Sequence, residues 1–287
     1  MLWDLFSSMI PPIASDFVAG ESPAEAIAHV REINRGGVGG IVNLLGEHYS
    51  ERSPADADRE EYCSLLADLG CGDVDGTISV KPSQIGLDVG ETVFEDNLAT
   101  IVERAEAEGV FCWIDMEDHT TTDATLDAYE RHATETDSGV GACLQANLKR
   151  TPDDLERLAA LPEKVRLVKG AYNPPPDVGY RDRDRVDEAY EDCLEFAFRE
   201  FDGGIAVGSH DPRMIERAKE LYDAYGTDFE IQMLMGVRTA AQFELASEGY
   251  DVNQYLPFGP KWLSYFYRRI RERKENALFA LRAVAGS

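Results

Sequence analysis

The sequence predicts an α/β protein folded as a closed parallel β/α barrel. Short apolar, β-branched runs alternate with longer amphipathic segments, the runs recur at roughly even spacing, and polar residues terminate nearly every run. Eight such runs are present, at 40–45, 77–80, 110–115, 140–145, 165–169, 204–208, 229–234 and 252–257. Each interval leaves room for one helix and two loops, the unit that joins parallel neighbours. An open doubly wound sheet would announce itself with a GxGxxG turn after its first strand. Gly36-Gly37-Val38-Gly39-Gly40 instead precedes the first run and lacks that pattern, so it reads as the loop into it.

The elements follow in order. A lead-in, 1–38, contains Ser22-Pro23-Ala24-Glu25, a capping box with proline at the first helical position. The barrel proper, 39–283, then begins, and the whole chain of 287 residues is expected to form one domain. The first run is followed by Glu47 and His48, the second by Lys81, the third by Asp115 and Glu117, and the fourth by Gln145 and Asn147. Thr151-Pro152-Asp153-Asp154 repeats the cap-then-proline start of a helix. The fifth run carries Arg166 and Lys169 and leads to Tyr172, and Asn173-Pro174-Pro175-Pro176 after it can only be loop. Ser209, His210 and Asp211 follow the sixth run, Gln232 lies on the seventh and Tyr255 on the eighth. Beyond it, Tyr265, Arg268, Arg269 and Glu272 stand at helical spacing on one face.

Composition narrows the function. With 54 acidic residues against 28 basic ones, the net charge of −26 repels phosphate backbones, so nucleic acid is not an expected partner. So acidic a surface suits a salt-rich cytoplasm, where screening removes the self-repulsion. Five cysteines without CxxC spacing fit a reduced, intracellular protein. Asp4 stands where a signal peptide would carry positive charge, and no apolar run approaches bilayer-spanning length, so a cytoplasmic protein is expected. The segment 2–13 is a candidate for peripheral membrane contact or for packing on the barrel floor.

In a parallel barrel the active site lies at the carboxyl ends of the strands, which makes the polar residues there the candidates. Only seven lysines exist, yet Lys81 and Lys169 both end strands, where a desolvated ammonium requires an anionic partner. Lys81 either serves a ligand or forms an internal ion pair with Asp115. Arg166 and Lys169 together suggest an anionic ligand such as a phosphate. Arg268 and Arg269 could hold one carboxylate by bidentate bonds with Tyr265 covering its apolar part, or could equally belong to a surface helix laced with salt bridges.

Seven segments in register resemble the proline dehydrogenase family: Ser79-Val80-Lys81-Pro82-Ser83-Gln84, Ile114-Asp115-Met116-Glu117, Arg166-Leu167-Val168-Lys169-Gly170-Ala171-Tyr172, Ser209-His210-Asp211-Pro212, Phe229-Glu230-Ile231-Gln232-Met233-Leu234, Tyr255-Leu256-Pro257-Phe258-Gly259, and the run from Tyr265 to Glu272. The resemblance implies a distorted (β/α)8 barrel of the TIM type whose last helix covers the carboxyl ends of the strands. It implies FAD-dependent oxidation of L-proline to 1-pyrroline-5-carboxylate, with hydride passing from C5 to flavin N5 and electrons going on to a quinone. By the same resemblance Arg268 and Arg269 clamp the substrate carboxylate and Glu272 balances them. Tyr172, Leu234, Tyr255 and Tyr265 surround the ring, and Lys81 and Asp115 line the pocket. Gln145, Arg166, Lys169, Gly170, Ala171, Ser209, His210 and Gln232 would bind the cofactor. Asn147, Asn173, Phe258 and Ser209 depart from the family's pattern, which bears on cofactor geometry. The chain lacks the DNA-binding and aldehyde dehydrogenase segments of the large bifunctional relatives, so a separate pyrroline-5-carboxylate dehydrogenase is expected downstream. Two other chemistries fit the same barrel. One is a metal-dependent hydrolase using His48, His119 and His210 with Asp115 and Glu117, although no HxH or HExxH spacing occurs. The other is a Schiff-base aldolase using Lys81 or Lys169.

Overall fold

The computed structural model describes residues 16–135, 139–263 and 265. Eight parallel strands close into a barrel in the order β1-β2-β3-β4-β5-β6-β7-β8, with β8 pairing back onto β1. They are β1 (Gly39–Leu44), β2 (Gly76–Val80), β3 (Cys112–Ile114), β4 (Val140–Gln145), β5 (Val165–Val168), β6 (Ile205–Gly208), β7 (Phe229–Leu234) and β8 (Asp251–Phe258). Every predicted run is a strand, with ends moved by a residue or two. β1 and β4 are buried along their whole length, as strands covered on both faces must be, which is why they read as continuous apolar runs rather than alternating ones.

The helices α1 (Pro23–Asn34), α2 (Arg52–Cys71), α3 (Glu91–Glu108), α4 (Thr122–Ala133), α5 (Thr151–Leu158), α6 (Arg183–Glu200), α7 (Pro212–Tyr225) and α8 (Thr239–Ser247) complete the repeat, α1 preceding the barrel and each other helix following its strand. Ser22 caps α1 as predicted: its Oγ accepts from Glu25 N while the Glu25 carboxylate accepts from Ser22 N at 3.1 Å. Thr151 does not cap α5. It occupies the first helical turn behind Arg150, and its hydroxyl instead donates to the Gln145 carbonyl at 2.5 Å, tying the helix start to the end of β4.

The main core lies between strands and helices, with Phe94, Tyr129, Tyr190 and Phe198 fully covered. A smaller layer, Ile41, Trp113 and Ala206 with Phe111 and Tyr255 packed against it, fills the barrel interior. Phe17, Val18, Leu45 and Tyr265 form a third cluster with Trp262. Because Ala19 N bonds Pro257 O at 2.8 Å, this part of the lead-in sits beside the carboxyl end of β8, not at the barrel floor. Residues 2–13 lie outside the described residues. No helix among the described residues is long and apolar enough to cross a membrane.

At the opposite end of the barrel, burial raises the Asp251 carboxyl to about 6, helped by the nearby charge of Glu230 and opposed by Lys164. The folded state therefore holds this proton to a higher pH than the unfolded chain does, so ionisation destabilises the fold. Stability is full below the unfolded value near 4 and falls as pH rises through about 6. Asp251→Asn is expected to raise the melting temperature at pH 7.5 by a few degrees, about 1 kcal/mol after allowing for solvent at this partly exposed site, and to leave it unchanged at pH 4. Melting curves at the two pH values check it.

Candidate active site

A cavity of about 1010 Å³ opens at the carboxyl ends of the strands. Lys81 and Asp115, just beyond β2 and β3, face it from one side, joined by Arg166 from β5 and by Gly170, Ala171 and Tyr172 in the loop that follows. From the other side come His210, Gln232, Leu234 and Tyr255, with Tyr265 above. Eleven residues predicted from separate segments thus converge on one space. Gln145, Lys169 and Ser209 are not on its wall, and Arg268, Arg269 and Glu272 lie outside the described residues.

Asp115 organises the floor. One oxygen accepts from Ser79 Oγ at 2.7 Å and Arg166 Nη1 at 2.6 Å; the other accepts from Tyr255 Oη at 2.6 Å and Lys81 Nζ at 3.4 Å. Burial alone would raise this carboxyl, but Lys81 and Arg166, with the bonds from Tyr255 and Ser79, outweigh it and hold Asp115 below the ordinary carboxylate range. Burial followed by the Asp115 charge pushes the Tyr255 phenol well above its usual value, so it stays protonated as a donor. The internal Lys81–Asp115 pair anticipated from the sequence is therefore present, and it faces the cavity.

Arg166 has a second feature. Its guanidinium lies 4.5 Å from the Trp113 ring centre and 5.7 Å from that of Tyr255, while Nε and Nη2 are buried with no hydrogen-bond partner among the described residues. Leaving buried donors unmet costs about 1–3 kcal/mol each, which marks them as groups a ligand satisfies. Two glutamines, on β4 and β7, each keep an unmet acceptor, and of the two only Gln232 lines the cavity. Gln145 donates Nε2 to Glu117 O at 2.6 Å and Gln232 donates Nε2 to Glu230, leaving Oε1 of each buried and unpartnered. The Arg166 donors and the Gln232 acceptor on the cavity wall suit a heterocycle edge that alternates ring nitrogens, carbonyls and an N–H, as an isoalloxazine does. The residues present fit the flavin. Gly170 supports this side: φ is +107°, and a Cβ there would lie 2.2 Å from Asn147 Oδ1, so only glycine lets the β5 loop lie against Asn147.

Within the protein, Lys169 and Arg166 meet different carboxylates. Lys169 bonds Asp187 on α6 and Asp211, the cap of α7, at 2.5 and 2.9 Å, and Arg213 bridges the same two carboxylates. Its charge is met within the protein, and the network ties α6 and α7 to the end of β5. His210 lies beside it, with Nε2 accepting from Leu234 N at 2.8 Å, which places a proton of the ring on Nδ1.

At the rim, Glu117 accepts from Ser83 N and Oγ, both at 2.7 Å; burial pushes its carboxyl up and these bonds oppose the shift. Ser83 Oγ in turn accepts from His48 N at 3.0 Å, and His48 pairs with Asp88 at 2.8 Å, which pushes the imidazole up. His119 pairs with Asp118 instead. The three histidines named for a metal site thus have different partners, and among the described residues no group of three or more His, Cys, Asp or Glu could hold an ion. Asn43, Ser79 and Trp113 were not singled out as site residues. The one available signal was Asn43, the sole polar side chain in a strand buried throughout.

This fold and mouth define a (β/α)8-barrel enzyme. The family model for proline dehydrogenase matches residues 26–282. Proline dehydrogenase of Deinococcus radiodurans is 36% identical over 279 residues, covering 95% of this chain and 90% of that one. Proline dehydrogenase 1 of Bacillus subtilis strain 168 is 33% identical over 275 residues, covering 94% and 90%. The barrel also matches proline utilization A from Bdellovibrio bacteriovorus with a TM-score of 0.82 at 22% identity, and from Corynebacterium freiburgense with 0.77 at 21%. This chain covers 90% and 93% of itself in those matches and spans 32% and 31% of the larger structures. The chain belongs to the proline dehydrogenase family, and it is an oxidoreductase of that family.

Proposed function

We propose that this chain oxidises L-proline to 1-pyrroline-5-carboxylate with FAD as its resident cofactor, acting as a single domain with lead-in 1–38 and barrel 39–283. The observation that carries the cofactor is a pair of buried Arg166 nitrogens with no hydrogen-bond partner among the described residues, on a side chain that lines the cavity together with Gln232, whose Oε1 is likewise unmet. The chemistry FAD supplies when bound is acceptance, at its N5, of the hydride leaving proline C5, with a quinone taking the electrons afterwards.

The protein's share is position and field. Arg166 places a fixed positive charge at the floor, held there by Asp115 and the Trp113 face. Lys81 sets a second cation toward the substrate, and Tyr255, locked by its bond to Asp115, presents its ring to the pyrrolidine. Tyr172, Leu234 and Tyr265 close around that ring and exclude water. Gly170, Ala171 and His210 would hold the ribityl and pyrophosphate side of the cofactor. Ser209 and Lys169 support it from behind, Lys169 by holding the Asp187–Asp211 network. Arg268 and Arg269 take the carboxylate, with Glu272 balancing them. The substrate amine must lose a proton for hydride to leave, and water is the acceptor at hand, because Lys81 is an ammonium that only donates. An aldolase reading gains nothing from the site, because Lys81 and Lys169 are both bonded to carboxylates.

The net charge of −26 supports work in a salt-rich cytoplasm. A quinone acceptor would call for peripheral membrane contact, and the product for a separate pyrroline-5-carboxylate dehydrogenase. Purified protein in concentrated salt is expected to be yellow and to bleach on anaerobic addition of L-proline. Colourless protein that takes up no added FAD overturns the reading.

A further inference from the structure

β1 is buried from end to end, and Asn43 is the one polar side chain in it, 1% exposed and on the cavity wall. An amide in such a place costs a few kcal/mol unless its hydrogen bonds are made, so its partners explain its presence. Those partners fix its orientation from both ends. Lys81 Nζ lies 2.9 Å from Asn43 Oδ1, and an ammonium only donates, so the oxygen must face it. Nδ2 lies 2.8 Å from the Ser79 carbonyl, which only accepts, and 3.3 Å from Tyr62 Oη. Tyr62, fully buried, donates to the same carbonyl at 2.9 Å and accepts from Leu44 N at 3.2 Å. The amide is thus clamped to the ends of β1 and β2, and it clamps Lys81 in turn.

The partners of Lys81 carry unequal charge. Its ammonium bonds Asn43, Tyr255 and, at the longer distance of 3.4 Å, Asp115, whose other oxygen is engaged by Arg166. Among the described residues, this hydrogen-bonded set has two cations facing one carboxylate, the remaining members, Ser79, Tyr255 and Asn43, being neutral. Glu117 borders the same cavity and its charge also acts on Lys81, but it accepts from Ser83 and makes no hydrogen bond to the ammonium, so it stands outside the bonded set. An aspartate at position 43 would offer Lys81 the same oxygen at the same place and cancel the excess, while its other oxygen would lose the bond that Nδ2 donates to the Ser79 carbonyl. We propose that Asn43 is a positioning residue: it orients the Lys81 ammonium toward the cavity and, being uncharged, leaves the cluster one positive charge for the carboxylate of an amino-acid substrate. The inference rests on the proline reading for the identity of that substrate, not for the charge itself.

Two ring compounds of one shape separate charge from fit: cyclopentanecarboxylate and cyclopentanecarboxamide, titrated calorimetrically into the enzyme as purified with its cofactor. Asn43→Asp is expected to weaken the carboxylate about tenfold and the carboxamide less than about twofold, the order of effect of one charge a few ångströms away in a partly solvated cleft. Equal weakening of both probes, or no change in either, overturns the proposal. Asn43→Ala keeps the charge count and removes the oxygen, so it decides the positioning role even if Asn43→Asp does not fold. It is expected to raise KM for L-proline about fivefold, more than it lowers kcat, and an unchanged KM overturns that role. A wild-type enzyme that ignores L-proline yet binds the carboxylate more tightly than the carboxamide would count against the proline reading alone, since the Asn43 comparison is read by titration.

Discussion

Asp115→Asn is expected to lower the unfolding free energy by about 3–5 kcal/mol, because it removes the one carboxylate that, among the described residues, belongs to a hydrogen-bonded set holding two cations. The Asp115 side chain is 13% exposed, Lys81 16% and Arg166 5%, so water can replace little of the lost charge. Turnover should fall by roughly 10²–10³-fold as Arg166 and Tyr255 lose their common anchor. Denaturant melts and steady-state rates read the two effects. A double substitution adding Lys81→Met to Asp115→Asn should recover part of the lost stability, since one uncompensated cation leaves with it. Asp115→Asn protein as stable as wild type would show that solvent, rather than Asp115, compensates Lys81 and Arg166.

The strands were legible because their physics is local. A strand buried on both faces has to be apolar at successive positions, and a parallel connection has to be long, so β1 (Gly39–Leu44) and β4 (Val140–Gln145) stand out by composition and spacing alone. The boundaries were less legible. β3 was expected over 110–115 and forms only at Cys112–Ile114, because pairing with β2 and β4 sets its ends and neither is nearby in the chain. Thr151 shows the same limit: its side chain could have capped its own helix, and the carbonyl of Gln145 competed successfully for it.

Strand-end chemistry was also legible, whereas pairings across the barrel were not. That Lys81 needed an anion followed from its burial, and Asp115 supplies it. Lys169 obeyed the same rule by a different route, taking Asp187 and Asp211 from the helices behind it. A lone cation at the end of an apolar run reads identically in both cases; only closure of the barrel decides which way it turns. Trp113 was hidden for a related reason. As an aromatic in an apolar run it reads as core, and its contact with Arg166 joins β3 to β5 across an interior that no sequence spacing encodes.

Arg166→Met should give the opposite signature to Asp115→Asn. Methionine is close to arginine in length, fills the space over Trp113, and removes two buried donors that the protein leaves unmet. Against that gain, Asp115 loses one of its four donors but keeps Ser79, Tyr255 and Lys81. The two changes are of similar size, so the melting temperature of the cofactor-free protein should move by only a few degrees. If flavin is the cofactor, as proposed above, its affinity and proline turnover depend instead on the donors themselves, and both should fall, turnover by about 10³-fold. Arg166→Lys restores the charge without the planar fork and should recover only part of the loss. Flavin titration beside melting curves distinguishes these outcomes. If Arg166→Met lowered stability as far as Asp115→Asn while retaining flavin, Arg166 would be a structural counter-ion to Asp115, and the cofactor would have to draw its donors from elsewhere on the wall.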